Sequence, residues 1–349
     1  MKEQQQIREL VTIVCTPHDL YWASEIEVQL SNFERVGHTG EMHVLVFVEG
    51  EFPYRWYWEQ LAKRYTWCKF FYYKEDNIKN LIAIYAPVQR PRCLKNHWKQ
   101  FPELQNKVIL YLDSDVLFTR TPDFSPYLQD DICYLSKTEY ISADYFSSKV
   151  KDIYPFKKKE YAQEDVLQDL CRIVGIDKQV AIDNQDNTGG CQYILKGIDY
   201  DFWNDVERNC IELRLRTINF NAQYFSSEDK GFQSWAIGDM CGLLWNLWKR
   251  GKETKCPEYM NFAWSTNPID AYNDNIFFHN AGVSSKNQEL DGKMHKMFYK
   301  SDIRFRTSSL TWFDIQEWGG ISKEYCSYKY LEEILSIENP ICRTKKLVY

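Results

Sequence analysis

The first third of this 349-residue chain alternates short apolar runs with stretches of helical periodicity, and no other sequence feature restricts the fold as strongly. The runs are rich in β-branched and aromatic residues, which is typical of buried strands. Strands that alternate with helices favour an α/β fold with a mainly parallel sheet. In this part of the chain we predict strands over residues 10–15, 43–48, 68–73 and 107–112, and helices over residues 21–36, 54–65 and 93–101.

The remaining two thirds carry fewer signals of this kind. A turn signal at residues 186–190 leads into a strand-like segment at 191–195. We predict a core over residues 1–285, divided near residue 135, and a C-terminal extension over residues 286–349 that packs on the core. Further strands are predicted over residues 131–135 and 275–278, and further helices over residues 162–174, 199–215 and 232–248.

The charge balance argues against a polyanionic partner for the chain as a whole. It contains 43 basic and 49 acidic residues, which gives a net charge of −6. A local patch, Lys157-Lys158-Lys159, could still contact a nucleic-acid backbone, although a solvated helix or loop is the preferred interpretation. DNA is therefore a weak expectation among the partners.

No segment of the sequence predicts membrane insertion or a disulfide framework. The apolar runs are shorter than the roughly 18 residues that a bilayer requires, and the first residues lack an apolar signal core. The eleven cysteines include no C-x-x-C pair, and no N-x-S/T sequon occurs. We therefore expect a cytoplasmic protein with reduced thiols and no membrane partner.

The strand predicted over residues 107–112 ends in Asp113-Ser114-Asp115, and apolar residues follow at once. In an open α/β sheet, ligands bind at the carboxyl ends of the strands. Two hard oxygen donors at such an end suit Mg²⁺ or Mn²⁺, and these ions suit the phosphates of a nucleotide. Because the pair lies between two apolar runs, we favour a functional site over a surface turn.

This segment resembles the D-x-D motif of GT-A glycosyltransferases, which use nucleotide-sugar donors. The resemblance implies a Rossmann-like, mainly parallel sheet flanked by helices, with a nucleotide-sugar half near residues 1–135 and an acceptor half near 136–285. It implies that Asp115 ligates the metal and that Asp113 faces both the metal and the donor ribose. Ser114 is then expected to contact the donor as well.

Other segments extend the resemblance to GT-A enzymes. Thr16 and Pro17 stand at the end of the first strand, where such enzymes hold the nucleoside. Arg92 and Lys95 precede the D-x-D strand, where the family often has a basic helix that faces the donor. The segment 187–195 is similar to the Asn-x-Gly segment that lines the cleft.

A late histidine completes the predicted metal site. Segment 277–282 resembles the H-x-x-G element of glycogenin-like enzymes, which implies that His279 is a metal ligand and that Gly282 approaches the donor. In those enzymes a lysine three residues past the glycine meets the pyrophosphate. Here Ser285 occupies that position and Lys286 follows it. An imidazole beside carboxylates favours Mn²⁺ over Mg²⁺.

The opening of the chain resembles one particular group of enzymes. Tyr21-Trp22 ahead of a helix, then Ser31, Gly37 and Gly40, is similar to the start of the plant peptidyl-serine galactosyltransferases and hydroxyproline arabinosyltransferases. Those enzymes work in the secretory pathway behind a membrane anchor, so the resemblance implies the reaction type and not the acceptor. It implies a UDP-sugar donor and transfer with retention. The similarity continues over residues 108–122 and 189–203.

The catalytic group is less well defined by the sequence. Asp239 is our first candidate for a group near the reacting carbon, and the alternative is a helix-face acid paired with a basic neighbour. Asp186 and Gln233 are further candidates. The acceptor hydroxyl could belong to a protein, a glycan or a hydroxylated DNA base.

Two alternatives to a glycosyltransferase remain at this stage. A nucleotidyl- or phosphotransferase could use the same carboxylates, but we find neither a P-loop nor a G-x-G-x-x-G motif that opens a helix. An inactive glycan- or nucleotide-binding module would not need Asp113, Asp115 and His279, and all three are present.

Overall fold

A computed structural model describes residues 8–75, 86–157, 165–227, 230–300, 311–314 and 319–342. The strands are β1 (Leu10–Pro17), β2 (Met42–Glu49), β3 (Cys68–Glu75), β4 (Val108–Leu112), β5 (Val116–Phe118), β6 (Cys133–Lys137), β7 (Gly189–Lys196), β8 (Thr254–Lys255), β9 (Phe262–Trp264), β10 (Phe277–His279), β11 (Asn287–Leu290) and β12 (Lys293–Lys296). The helices are α1 (Leu20–Arg35), α2 (Arg55–Arg64), α3 (Gln89–Gln100), α4 (Ala143–Lys149), α5 (Val166–Val174), α6 (Lys178–Asp183), α7 (Tyr200–Tyr224), α8 (Ser234–Ala236), α9 (Gly242–Lys249), α10 (Asp270–Asp274) and α11 (Ser327–Ser336).

The largest sheet has seven strands in the order β3-β2-β1-β4-β7-β6-β8. Strand β2 pairs in parallel with both β1 and β3, and β6 pairs in parallel with β8. Strand β7 is antiparallel to β4 and to β6. The predicted α/β fold, with a mainly parallel sheet flanked by helices, is therefore confirmed.

The chain divides into two compact units. The first unit comprises Met1–Leu10, Asp76–Tyr111 and Ser125–Met260, and the second comprises Val11–Glu75, Leu112–Phe124 and Asn261–Tyr349. The predicted boundaries near residues 135 and 285 stay a prediction.

In the second unit, helix α1 is buried on nearly all sides. Its apolar residues Ile26, Leu30 and Phe33 recur at helical spacing and are fully buried, as the sequence predicts. The ring of Phe33 packs 4.6 Å from that of Phe118 in β5. Replacing such a buried phenylalanine by alanine costs about 3–5 kcal/mol of stability. The helix ends before Gly37, whose φ of 78° suits a residue without a side chain.

A small sheet of the second unit sets the geometry of residues 113–115, which we call the D-x-D loop. Its strand order is β5-β10-β9, with β10 antiparallel to β5 and parallel to β9. Because β5 begins directly after Asp115, the pairing of β5 with β10 fixes where the loop ends. These strands have only three residues each, and none of the three was predicted in full.

The first unit has a core rich in tryptophan. Trp98 of α3 and Trp203 of α7 lie with ring centroids 5.5 Å apart, and both are almost fully buried. The indole nitrogen of Trp98 donates a hydrogen bond to the carbonyl oxygen of Ile198 at 2.6 Å. The buried indole therefore keeps a polar partner, as its desolvation requires.

Several predicted helices differ from the structure in their limits. The helix predicted over residues 162–174 begins at Val166, and residues 162–164 lie outside the described residues. The helix predicted over residues 199–215 continues to Tyr224. The helix predicted over residues 232–248 corresponds to α8, a π-helical turn over Ile237–Cys241, and α9.

None of the eleven cysteines, all of which lie among the described residues, forms a disulfide, and all except Cys256 are buried. Within the part of the chain that the structure describes, no helix combines the length and apolar character needed to cross a membrane. Lys158 and Lys159 of the predicted basic patch lie outside the described residues.

Candidate metal centre

The backbone of the second unit brings His279 to the D-x-D loop. Strands β5 and β10 pair so that His279 lies opposite Val116, the residue that follows Asp115. The amide nitrogen of Asn280 donates a hydrogen bond to the carbonyl oxygen of Asp115 at 3.0 Å. Residues that are 164 positions apart in the chain thus become neighbours through strand pairing.

The side chains of Asp113, Asp115 and His279 form one group. The Nε2 atom of His279 lies 3.2 Å from Oδ1 of Asp115 and 3.8 Å from Oδ2 of Asp113. One ligand atom from each residue lies within 4.8 Å of the other two, and no second group of this kind occurs among the described residues. Two carboxylates and an imidazole are a donor set that fits Mn²⁺.

The ring of His279 is held in place by aromatic neighbours. Trp264 stacks on it with a centroid distance of 5.4 Å, and Phe262 presents an edge at 5.3 Å. Its Nδ1 atom is buried without a hydrogen-bond partner among the described residues, so Nε2 is the nitrogen that faces the carboxylates. Burial alone would lower the pKa of His279, but the charges of Asp115 and Asp113 outweigh it and raise that pKa.

Lys300 is a member of this group that the sequence did not indicate. Its ammonium group pairs with Oδ2 of Asp115, while His279 lies beside Oδ1. Burial would raise the pKa of Asp115, but the charges of Lys300 and His279 hold it well below its usual range. Asp115 is therefore an ionised carboxylate with a cationic neighbour in the absence of metal.

Glu25 of α1 places a third carboxylate next to the loop, and the sequence did not indicate it either. It is fully buried, and it accepts hydrogen bonds from the hydroxyl groups of Ser114 at 2.5 Å and Tyr21 at 3.2 Å. Burial, together with the charge of Asp115, raises the pKa of Glu25 to about 7. The spacing of Tyr21, Glu25, Gln29 and Asn32 along one helical face was a signal that could have revealed this row.

The same helical face holds the backbone of the loop. The amide of Gln29 donates to the carbonyl oxygens of Asp113 and Val116, both at 2.8 Å. Asn32 exchanges two hydrogen bonds with the backbone of Phe118, at 2.9 and 3.1 Å. These bonds satisfy backbone groups that would otherwise be buried without partners, which stabilises one path for the loop.

The remaining predicted donor residues of the second unit lie at two chain segments. Thr16 and Pro17 end β1, and Thr16 is almost fully buried. Gly282 follows β10 with a φ of 90°, and a Cβ atom there would lie 3.5 Å from Trp264. Lys286 is exposed just before β11. Their contribution to donor binding stays a prediction.

The predicted basic residues of the first unit are paired with acids. Arg92 forms an ion pair with Glu207 at 2.7 Å, and Lys95 pairs with the same carboxylate. Asp239, in the π-helical turn, pairs with Arg90. The helix-face ion pair that the sequence offered as the alternative for Asp239 is thus present, and its catalytic role stays a prediction.

Asp186 and Gln233 also belong to the first unit. The backbone nitrogen of Gln233 donates a hydrogen bond to the hydroxyl oxygen of Tyr145 at 3.0 Å. Asp186 lines an open cleft with a volume of about 570 Å³, together with Tyr145. The other residues of this cleft are Lys137, Thr138, Glu139, Tyr140, Ser142, Asp144, Ser148, Gln185 and Thr188.

No protein-family model and no curated protein matches this sequence. Among solved structures, the chain is similar to the bifunctional glycosyltransferase WbbM, with 10% identity, a TM-score of 0.43, and coverage of 79% of this chain and 46% of that one. It is similar to the galactosyltransferase LgtC in complex with donor and acceptor sugar analogs, with 12% identity, a TM-score of 0.40, and coverage of 94% and 96%. An active-site mutant of LgtC matches with 12% identity, a TM-score of 0.38, and coverage of 79% and 89%.

These structures are glycosyltransferases, and the chain spans less than half the length of the WbbM chain. With identities of 10–12% and TM-scores below 0.5, the matches leave the metal, the donor and the acceptor to be argued from the residues of this chain.

Proposed function

We propose that the protein is a metal-dependent glycosyltransferase of the GT-A type. It transfers a sugar from a nucleotide diphosphate-sugar, with UDP as the expected carrier, to a hydroxyl acceptor. The configuration at the anomeric carbon is retained. The observation that carries this proposal is the group formed by Asp113, Asp115 and His279 at the end of a buried strand. The resemblance of the sequence to plant and glycogenin-like transferases supports the donor and the stereochemistry.

In this proposal Asp113, Asp115 and His279 hold the divalent cation, and their oxygen and nitrogen donors favour Mn²⁺. When bound, the cation would neutralise the negative charge of the diphosphate that leaves as the bond between the anomeric carbon and the phosphate of the donor breaks. Ser114 donates a hydrogen bond to Glu25, and the side-chain amide of Gln29 donates one to the carbonyl oxygen of Asp113. These two bonds keep the two aspartates oriented before any ligand binds.

Basic side chains would contribute further to donor binding. Lys286 follows β10, which carries His279, and a lysine ammonium group suits a pyrophosphate oxygen. Arg92 and Lys95 of α3 are the other candidates, and both would have to share their charge with Glu207.

The catalytic group near the reacting carbon is assigned to the carboxylate of Asp239, with the carboxylate of Asp186 and the amide of Gln233 as second choices. A carboxylate in that position would face the positive charge that develops on the sugar and could accept the proton of the acceptor hydroxyl. The ion pair with Arg90 fixes the orientation of Asp239 within the first unit.

Among the acceptor classes, a glycan is favoured over a hydroxylated DNA base or a protein. The cleft that contains Asp186 combines the rings of Tyr140 and Tyr145 with carboxylates and hydroxyl groups, a mixture suited to sugars. Its three acidic residues outnumber its one lysine, which opposes a phosphate backbone. A salt-dependent shift of hydroxylated DNA by the protein would reverse this preference.

The proposal is tested by a screen of nucleotide sugars after removal of metal with EDTA. We expect Mn²⁺ together with one donor to raise the melting temperature, because a ligand that binds only the folded state stabilises it. Slow release of the nucleoside diphosphate should accompany the shift. Asp113→Asn should lose both effects, since it removes a metal ligand that is 19% exposed and has no role in the hydrophobic core.

The matched control is Asp131→Asn, at a carboxylate that is 81% exposed and pairs with Arg8 on the surface. It should behave as the wild type does. Absence of any metal-dependent shift with every donor would overturn the proposal. Release of pyrophosphate from a nucleoside triphosphate would replace it by a nucleotidyltransferase, and tight donor binding without turnover would replace it by a binding module.

A further inference from the structure

We infer that Lys300 is an internal counter-ion of Asp115 that weakens the binding of a free divalent cation, so that the cation binds tightly only together with an anionic nucleotide. The inference rests on the proposed metal site. It adds a residue that neither the motif nor the metal-ligand group contains.

Both carboxylate oxygens of Asp115 have partners within the protein. One carboxylate oxygen faces Nε2 of His279 at 3.2 Å, and the other pairs with the ammonium group of Lys300. Asp115 is only 5% exposed, so water has little access to either oxygen. A cation that approaches this carboxylate therefore meets an oxygen pair already engaged with protein groups.

Lys300 is surrounded by acidic side chains. Its ammonium group pairs with Asp115 and lies in the electrostatic field of two further carboxylates, those of Glu25 and Asp113. Two of these carboxylates, Asp113 and Asp115, are proposed metal ligands. The lysine thus supplies positive charge to the same anionic cluster that the metal would neutralise.

Competition follows from the sign of the charges. A divalent cation on Asp113, Asp115 and His279 would share Asp115 with Lys300, and two like charges at such a distance repel strongly where little water screens them. The negative charges of a nucleoside diphosphate would offset this repulsion. Metal and nucleotide should therefore bind with positive coupling, and linkage requires that each ligand strengthens the other by the same factor.

A purely structural role for Lys300 predicts something different. If the lysine only neutralises buried carboxylates to stabilise the fold, its removal should lower stability and leave metal affinity the same or weaker. If it acts as a counter-ion, its removal should tighten the binding of the bare metal. Metal affinity therefore separates the two roles where activity would not.

The experiment measures the Kd of Mn²⁺, with and without UDP, by titration calorimetry or by the EPR signal of free Mn²⁺. The wild type, Lys300→Met and Lys300→Arg are compared. We expect Lys300→Met to bind Mn²⁺ alone at least tenfold more tightly than the wild type. We also expect the factor by which UDP tightens Mn²⁺ binding to fall at least tenfold in this variant, while Lys300→Arg keeps the wild-type values.

A variant that removes one charge of each sign guards against loss of folding. Glu25→Gln combined with Lys300→Met, compared with Glu25→Gln alone, should show the same tightening of Mn²⁺ binding. The inference would be overturned if Lys300→Met bound Mn²⁺ no more tightly than the wild type and the double variant bound it no more tightly than Glu25→Gln. Such a result would leave the metal site intact. Failure of every protein, including the wild type, to bind Mn²⁺ with or without UDP would overturn the proposed function together with the inference.

Discussion

Glu207 in the first unit and Asp115 in the second are both buried carboxylates that meet two nitrogen-bearing side chains. Glu207 pairs with Arg92 and Lys95, which are three residues apart on α3. Asp115 meets His279 and Lys300, which lie on different segments of the chain. The same number of partners is thus reached by local spacing in one unit and by tertiary packing in the other.

The difference between the two sites lies in what surrounds each pair. Near Asp115 two more carboxylates, Asp113 and Glu25, act on the same lysine. At Glu207 two cationic side chains, those of Arg92 and Lys95, pair with the same carboxylate. The carboxylates around Lys300 favour the binding of an additional cation, whereas the two cations at Glu207 favour the binding of an anion. Of these two sites, the one around Asp115 has the group of side chains that could hold a metal ion.

The largest effect is expected for Asp115→Asn in the metal-free protein. The substitution leaves both the buried ring of His279 and the ammonium group of Lys300 without their charged partner, and breaking a buried ion pair from one side costs about 3–5 kcal/mol. Urea unfolding in EDTA should show this loss in the free energy of unfolding, and added Mn²⁺ should not restore it. A loss below about 1 kcal/mol would mean that the pair is solvated and that the comparison with Glu207 fails.

A smaller effect with a defined pH dependence is expected for Glu25→Gln. The pKa of Glu25 is raised from 4.5 to about 7, so the folded protein binds this proton more tightly than the unfolded chain does. Wild-type stability should therefore fall as the pH rises from about 4.5 through 7, with the full cost of about 3 kcal/mol present above pH 7. Glutamine carries no such cost and keeps an oxygen for Tyr21 and Ser114.

Chemical unfolding of the wild type and Glu25→Gln in EDTA, from pH 4.5 to 8, checks this expectation. The difference in the free energy of unfolding should shift in favour of the variant across that range. A difference that does not change with pH would show that Glu25 has the same pKa in the folded and unfolded states, and the acid-rich description of the cluster would then be wrong.

The smallest effect is expected for Glu207→Gln in the first unit. Arg92 and Lys95 are 22% and 18% exposed, whereas the ring of His279 beside Asp115 is 10% exposed, so both cations keep more access to water than that imidazole does. We expect a cost of about 1–2 kcal/mol, below that of Asp115→Asn, and no change in Mn²⁺ affinity. Glu59→Gln, which breaks the exposed Arg55–Glu59 pair, should cost less than about 0.5 kcal/mol in the same assay. A cost for Glu207→Gln equal to that of Asp115→Asn would remove the contrast between the units.

The sequence contained most of the fold and part of the site. Long strands such as β1 and β2 were predictable because their residues are apolar on both faces. The three-residue strands β5 and β9 were not, because their pairing is decided by tertiary contacts and not by any local period. The D-x-D motif and His279 were found because a motif with fixed spacing marks them, and the structure brings them together.

Lys300 and Glu25 were missed for two different physical reasons. Lys300 acts on a residue 185 positions away and follows a region of weak periodicity, so nothing near it in the sequence signals a partner. Glu25 lies on a helix, where a polar residue normally indicates the solvent side. It is buried because α1 is covered on almost every side, which is a property of the packed unit and not of the helix sequence.

The hold of α1 on the D-x-D loop has a consequence for protein engineering. Gln29 and Asn32 bond to backbone atoms of residues 113, 116 and 118, so the path of the loop is set from outside and not by its own side chains. A designer could exchange the two carboxylates for imidazoles or thiolates and expect the new donors to start from the same Cα positions. The loop backbone could therefore position other sets of ligand side chains, including sets that select softer metals.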